Sequence, residues 1–274
     1  MSTLGTTPRP TPGTTTGTST GTTAGTTAGS ATLAGAALRT WHESGPGATV
    51  RGGVVVLVGR GETAEVYERF GRRLAADGYR VVAVGEGQPA PAAVAALLAS
   101  LPAPHVLVGS DTGALNAVRV AREHPLDALV LSGLPTSAGE HPLTWQGELN
   151  ARTACPAHQR VLGQATRSSL FADATALTAA DLTGPADPPL PVPVLAVHGA
   201  ADRISPAEQA VAAYRTLGAR HVALVTDGRH DVLNDVTHRT VAATVVQFLE
   251  RVRLGADLPV LVRDVAAPAD GAAA

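Results

Sequence analysis

The stretch that decides the fold is HVLVGSDTGA, residues 105–114, in which an apolar run leads directly into a sharp turn and a helical pattern. Gly109 and Gly113 flank the turn four residues apart, the spacing of a strand–turn–helix elbow that holds its central residue at the apex. Glycine at these positions lets the backbone double back without a Cβ clash. The central residue is Asp111, and we expect its side chain to project into solvent above a sheet.

A shift of this frame by one residue places Ser110 at the apex instead. The flanking positions are then Val108 and Thr112. β-Branched residues suit a strained tight turn poorly. The glycine spacing therefore favours Asp111, with Ser110 as the alternative.

The surrounding sequence alternates short apolar runs with helical patterns. Val54–Val58 is typical of a strand buried on both faces, while Thr63–Asp77 and Val236–Val252 carry apolar side chains at helical spacing. This alternation predicts an α/β fold whose mostly parallel sheet has helices on both faces. Residues 38–43 and 49–50 are predicted to pair as a small antiparallel hairpin before it.

Composition divides the 274 residues into a tail, a domain and a second tail. Residues 1–31 are almost entirely Thr, Gly, Ser, Ala and Pro, so we expect them to be disordered because they bury too little apolar surface. Residues 32–254 are predicted to form one domain. An insertion at 135–191 is too long for an ordinary loop and predicts a short helical lid. Residues 255–274 are predicted to form a C-terminal tail.

The composition argues against several classes of protein. With 21 Lys and Arg against 23 Asp and Glu, the net charge is −2, without the basic excess of a nucleic-acid binder. Cys155 is the single cysteine, which excludes an internal disulfide and a thiolate zinc cluster. The sequence contains neither an apolar run of membrane-spanning length nor the apolar core of a signal peptide. We therefore expect a cytoplasmic protein that acts on a small molecule.

Two later segments add an acid and a histidine. VLAVHGAADRISP (194–206) places Asp202 beyond the carboxyl end of a strand, where open α/β sheets form their sites. The alternative role of Asp202 is in a helix cap, since Ser205-Pro206 begins a helical pattern. ALVTDGRHDVL (223–233) places His230 in the loop after the last strand.

The chain from Val54 to Val252 resembles the α/β-hydrolase superfamily, in the style of lysophospholipases and monoacylglycerol lipases. The resemblance is carried by VLVGRGETAEVYERFGRRLAADGYRVVAV, VLVGSDTGAL, VPVLAVHGAADRISP and GRHDVLND. It implies an α/β-hydrolase fold, with Asp202 and His230 as the acid and the histidine of a catalytic triad. It also implies that the backbone N–H groups of Arg60 and Thr112 form an oxyanion hole.

The sequence departs from this family at Asp111, where serine is usual. An aspartate at the elbow resembles haloalkane dehalogenases and epoxide hydrolases. This implies that Asp111 attacks a saturated carbon to form an ester, which His230-activated water then hydrolyses. We therefore expect a hydrolase of a small, largely apolar substrate. The 135–191 lid contains no tyrosine of the epoxide-hydrolase kind, and Thr112 stands where dehalogenases usually have tryptophan; Trp145 is a candidate substrate contact from the lid.

Three more residues are candidates for the site, although His198 is favoured as structural over catalytic, and Cys155 as a buried thiol over a residue that lines the pocket. Glu62 is a candidate substrate-binding acid, or it favours the start of a helix through the helix dipole. His198 is predicted to be a hydrogen-bonded structural residue, and Cys155 a buried, inert thiol. We expect neither a metal nor an organic cofactor, since the sequence lacks a phosphate-binding loop and Gly85-Glu-Gly87 lacks the third glycine of a dinucleotide fingerprint.

Three alternatives to the aspartate hydrolase remain open. The first is a lyase, cyclase or isomerase that uses Asp111 or His230 as a general base. The second is a non-catalytic binding descendant, and the third is a serine esterase that uses Ser110. Packing gives no reason for an Asp202 and a His230 in these loops, which favours an enzyme.

Overall fold

The structure is a computed structural model that describes residues 32–43, 47, 49–85, 87, 89–136, 139, 144–165, 179–182 and 188–262. The predicted disordered segment 1–31 lies outside the described residues. Parts of the predicted lid and of the C-terminal tail also lie outside them.

The described residues contain one sheet of eight strands. The strands are β1 (Thr32–Leu33), β2 (Ala36–Trp41), β3 (Gly52–Leu57), β4 (Tyr79–Val84), β5 (His105–Ser110), β6 (Ala128–Ser132), β7 (Val194–Gly199) and β8 (His221–Val225). Their order across the sheet is β1-β2-β4-β3-β5-β6-β7-β8. The pairs from β4 through β8 are parallel, whereas β2 is antiparallel to both β1 and β4.

Seven α-helices occur in the same part of the chain. They are α1 (Glu68–Ala76), α2 (Pro91–Ala99), α3 (Thr112–Glu123), α4 (Trp145–Arg152), α5 (Pro156–Ala165), α6 (Ala207–Thr216) and α7 (His238–Leu254). Short 3-10 helices cover Ala64–Tyr67 and Ala179–Leu182. No helix in the described ranges combines the length and apolarity that crossing a membrane would require.

The core lies in two layers, one on each face of the sheet. Along β3, Val54 and Val56 pack into the layer that contains α1 and α7, while Val55 and Leu57 pack into the layer that contains α2, α3 and α6. This alternation follows from the two-residue period of a strand. A strand buried on both faces needs the continuous apolar run that the sequence contains, so the mostly parallel sheet is confirmed.

The predicted hairpin between residues 38–43 and 49–50 is wrong. The hairpin instead joins β1 to β2 through Ala34 and Gly35, both with positive φ, and β2 then pairs with β4. Two consecutive left-handed residues give the twist that a two-residue hairpin turn needs.

Helix boundaries also differ from the predictions in part. The pattern over 63–77 divides into a 3-10 turn at Ala64–Tyr67 followed by α1. Within the predicted helical lid, the described residues form α4 and α5. Beyond α7 the chain continues against the domain, because Leu258 is buried and Arg251 donates hydrogen bonds to its carbonyl oxygen and to that of Pro259.

Parallel strands bring their carboxyl ends to one edge of the sheet, and this edge carries the candidate site. Arg60 follows β3, Asp111 follows β5, Asp202 follows β7 and His230 follows β8. Residues that are far apart in the sequence therefore meet there, as the sequence predicts.

Candidate active site

Asp111 occupies the apex of the elbow between β5 and α3, as predicted. Its φ of 51° and ψ of −126° form a conformation that residues other than glycine rarely adopt, at a typical cost of about 1–3 kcal/mol. The flanking positions need glycine because there is no room for a Cβ atom. A Cβ on Gly109 would lie 2.5 Å from the Cα of Ala114, and one on Gly113 would lie 2.2 Å from the carbonyl oxygen of Leu57.

Ser110, the alternative nucleophile, is the last residue of β5. It is buried and lies in register with Ser132 on β6. The turn begins one residue later, and the Asp111 N–H donates to the carbonyl oxygen of Ser132 at 3.0 Å.

His230 and Asp202 lie beside Asp111. Nδ1 of His230 is 2.8 Å from Oδ2 of Asp202, and the other oxygen of this carboxylate accepts the N–H groups of Ile204 and Ser205 at 2.9 Å each. Nε2 of His230 faces Oδ1 of Asp111 at 3.8 Å, which is too long for a hydrogen bond. Nε2 is buried and has no hydrogen-bond partner within the described residues. The three predicted site residues therefore meet.

His198 supports Asp202 from behind, so its predicted structural role is confirmed. Its Nε2 lies 2.7 Å from the carbonyl oxygen of Ser205 and 3.2 Å from Oδ2 of Asp202, both of which only accept. Nε2 is therefore the protonated nitrogen, and Nδ1 accepts from the hydroxyl of Tyr214 at 3.0 Å.

The predicted oxyanion donors lie on the other side of Asp111. The Arg60 N–H donates to Oδ2 of Asp111 at 3.1 Å. Thr112 is the first residue of α3, so its N–H has no partner within the helix. A cavity of about 230 Å³ adjoins both residues and is also lined by Val84, Pro89 and Asn116.

A buried arginine of α4, in the segment predicted to be a lid, covers the elbow. Arg152, at the end of α4, is fully buried, and its Nη2 donates to Oδ2 of Asp111 at 2.9 Å. Its Nη1 lies 3.0 Å from Oδ1 of Asp231 and 3.3 Å from Oε1 of Glu62, and its Nε lies 3.5 Å from Glu148. The predicted exposure of Asp111 is wrong, since only 3% of the residue is accessible under this arginine.

Glu62 belongs to the same network. One of its carboxylate oxygens accepts the N–H of Gly59 at 3.0 Å and the hydroxyl of Tyr67 at 2.6 Å, while the other contacts Arg152. Glu62 therefore lies inside the network beside Arg152, while its predicted roles in substrate binding and at the helix start stay predictions. Trp145 begins α4 and is partly buried against the core. Its contact with a substrate stays a prediction.

The charges of the site follow from this packing. Burial raises the pKa of Asp111, but His230 and Arg152 outweigh that effect and hold it well below its usual range. Burial disfavours the charged form of His230, but Asp202 and Asp111 outweigh it and raise the pKa to about 10. The resting site therefore contains a carboxylate facing an imidazolium.

The outer acids of the network behave differently. Burial raises the pKa of Glu62 to about 7, aided by repulsion from Asp231, and burial raises that of Glu148 to about 7. At neutral pH the network therefore holds protons on a part of these carboxylates.

The same architecture occurs in solved structures. The monoacylglycerol lipase of Paleococcus ferrophilus is 16% identical, with a TM-score of 0.60, and the match covers 78% of this chain and 98% of that one. A soluble variant of the monoglyceride lipase of Saccharomyces cerevisiae is also 16% identical with a TM-score of 0.60, covering 80% and 92%. An esterase from Rhodococcus sp. ECU1013 is 19% identical with a TM-score of 0.59, covering 80% and 96%.

The fold is that of the α/β-hydrolases. Identities at this level establish the fold alone. The sequence matches no protein-family model, and the comparison with curated proteins finds no match.

On this α/β-hydrolase scaffold, one buried group has the composition of a metal site. Glu62, His158 and Asp231 bring their ligand atoms within 4.8 Å of one another. The guanidinium of Arg152 contacts both carboxylates, so an arginine supplies positive charge to this group.

The lid is tied to the loop that carries His230. One oxygen of Asp235 accepts the hydroxyl of Thr153 at 2.7 Å and the N–H groups of Ala154 and Cys155 at 2.8 and 3.1 Å. The other accepts the N–H of Arg229 at 3.1 Å. The position of α4 over Asp111 is therefore fixed by the histidine loop.

Cys155 is buried as predicted, but its surroundings are polar. Burial raises the pKa of the thiol, whereas the His158 N–H and the nearby Arg69 guanidinium outweigh burial and lower it. The guanidinium lies 3.6 Å from Sγ. Burial is confirmed, and the predicted inertness of the thiol stays a prediction.

Proposed function

We propose that the protein is a hydrolase of a small, largely apolar substrate, with Asp111 as a covalent nucleophile. One observation carries the proposal, namely that the two oxygens of Asp111 have different environments. Oδ2 accepts hydrogen bonds at 2.9 and 3.1 Å, whereas Oδ1 faces Nε2 of His230 across 3.8 Å. Oδ1 also lies 4.0 Å from Nη2 of Arg60, and neither cation is within hydrogen-bond distance, so we assign Oδ1 as the attacking oxygen and His230 as the base of the second step.

In the first step, Oδ1 of Asp111 attacks a saturated carbon. A carbon–oxygen bond forms, and the leaving group departs with the electron pair of its own bond to that carbon. The lowered pKa keeps Asp111 ionised for this attack. A saturated carbon suits this nucleophile, because attack on a carboxylic ester would give a reactive anhydride.

Formation of the ester changes His230. Asp111 loses its negative charge, so one of the attractions that raises the pKa of His230 disappears and the imidazolium releases its proton. Neutral Nε2 then accepts a proton from water, whose oxygen attacks Cγ of Asp111. Asp202 holds the ring and stabilises the imidazolium that forms.

Collapse of the tetrahedral intermediate breaks the bond between Cγ and the ester oxygen. The alcohol leaves with the proton that His230 took from water, and the second water proton passes from the Asp111 carboxylic acid to His230, which restores the carboxylate and the imidazolium. The whole cycle consumes one substrate and one water, and it releases one alcohol, one proton and the leaving anion.

A mass measurement tests the proposal. The His230→Gln variant, incubated with a panel of short alkyl halides, epoxides and activated esters, is expected to gain the mass of the transferred group in intact-protein mass spectrometry. The matched control is the double variant with Asp111→Asn, which is expected to gain nothing. Unchanged mass across the panel would contradict the mechanism, and labelling of Ser110 by a serine-reactive phosphonate would indicate an esterase instead.

A second candidate function is a non-catalytic binding protein on this scaffold. The ion pair between Arg152 and Asp111 and the low accessibility of Asp111 favour it. It predicts that ligand binding survives His230→Ala and that no covalent adduct forms in any variant.

A further inference from the structure

We propose that Arg152 is a further catalytic residue, which supplies a charged donor to the oxyanion hole from the lid. The inference rests on the proposed function, because it assigns a role in the second step of that reaction.

The contact is made with the atom that carries the charge. Arg152 Nη2 and the Arg60 N–H both donate to Oδ2 of Asp111, at 2.9 and 3.1 Å. Once Oδ1 has formed the ester bond, Oδ2 is the carbonyl oxygen. Attack of water on Cγ places the negative charge on that oxygen, where both donors already lie.

The guanidinium is held for this task before the reaction begins. Asp231 and Glu62 accept hydrogen bonds from Nη1. These contacts fix the orientation of the guanidinium, so that Nη2 faces Asp111. Asp231, which follows His230 in the chain, also donates its backbone N–H to the carbonyl oxygen of Arg152 at 2.9 Å. A donor that is fixed in a buried site stabilises developing charge without reorganisation.

The same contact has opposite consequences for the two steps. In the first step Arg152 draws negative charge away from the attacking carboxylate and slows alkylation. In the second step it stabilises the oxyanion and speeds hydrolysis. A purely structural arginine would instead impair both steps together.

The test uses Arg152→Gln with His230 intact and the probe that alkylates His230→Gln. We expect alkylation at the native rate or faster, followed by slow hydrolysis, so that the Asp111 ester accumulates and is seen by intact mass. Loss of one oxyanion donor typically slows a step by about 10²–10³-fold. Arg152→Lys keeps the charge but not the two-nitrogen geometry, and we expect a smaller accumulation.

Arg229→Gln is the matched control. Arg229 donates to lid carbonyl oxygens at the end of α4, including that of Thr153, but does not contact Asp111. We expect no ester to accumulate in this variant. If it accumulates ester as Arg152→Gln does, lid position rather than charge is the cause and the inference is wrong.

The other outcomes are also decisive. Native hydrolysis without accumulated ester in Arg152→Gln overturns the inference and leaves the proposed function standing, provided that His230→Gln is alkylated. If Arg152→Gln fails to fold, which thermal unfolding reports, Arg152→Lys decides by the same criterion. A failure of His230→Gln to form any adduct overturns the proposed function and this inference with it.

Discussion

The free energy of unfolding is expected to fall between pH 7 and pH 9. Most of this fall is expected to be absent in the His230→Gln variant. In the folded state, attraction by Asp202 and Asp111 overcomes burial and raises the pKa of His230 to about 10, against about 6.5 for an unperturbed histidine. Between these values the folded protein binds a proton that the unfolded chain does not. Stability from this proton is complete below the lower value and is lost as the pH rises.

The magnitude follows from linkage. One proton of difference corresponds to about 1.4 kcal/mol of unfolding free energy for each pH unit. Two pH units therefore cost about 3 kcal/mol. Asp111 and Asp202 do not contribute in this window, since both pKa values are lowered and both groups are ionised in either state. Glu62 and Glu148, with pKa values of about 7, are half protonated at pH 7 and add a smaller loss near that end of the window, which the native protein and His230→Gln are expected to share.

Urea unfolding at pH 7, 8 and 9, followed by circular dichroism, measures this difference. The native protein is expected to lose about 3 kcal/mol more than His230→Gln over this range. His221→Gln is the control, because burial lowers the pKa of His221 and the group is neutral throughout the window. Equal slopes in the native protein and His230→Gln would show that the imidazole is neutral at rest, which refutes the assigned charges.

Three further changes test the packing around the site. Gly113→Ala, whose Cβ would lie 2.2 Å from a backbone carbonyl oxygen, is expected to lose at least about 1–3 kcal/mol in urea unfolding, whereas Gly163→Ala in open space on α5 is neutral or stabilising. Tyr214→Phe removes the partner of His198 and of one buried N–H, at a cost of about 1–3 kcal/mol in thermal unfolding. Asp235→Asn weakens four hydrogen bonds that join the lid to the histidine loop and is expected to speed proteolysis at α4; an unchanged cleavage rate would contradict that role.

The part of the site that the sequence predicts depends on local or topological constraints. The spacing of Gly109 and Gly113 favours Asp111 because it is the central residue between two positions where a Cβ would clash with the backbone. Asp202 and His230 follow separate parallel strands, whose carboxyl ends necessarily meet at one edge. These constraints depend only on residue types and chain order, so these three residues can be predicted without knowing how the helices pack.

Arg152 could not be predicted in the same way. Its position depends on how the lid lies over the sheet, and the lid is held by long-range hydrogen bonds to Asp235 rather than by its own helical pattern. Two signals were present, the spacing of Glu148 four residues before Arg152 and the acid Asp231 directly after His230. Either pattern is equally typical of a solvated surface. The error at the first hairpin has the same origin, since strand pairing is a non-local choice.

The arrangement of buried polar atoms argues that the network serves chemistry rather than stability alone. An ion pair selected only for stability would place hydrogen bonds on both oxygens of Asp111. Within the described residues, Oδ1 accepts none, and Nε2 of His230 likewise lacks a partner, although the two atoms face each other across 3.8 Å. A buried polar group without a partner typically costs about 1–3 kcal/mol, and the backbone strain at Asp111 adds a comparable amount. Under the proposed mechanism these two atoms are the attacking oxygen and the base, so we expect the fold to bear these costs for the reaction.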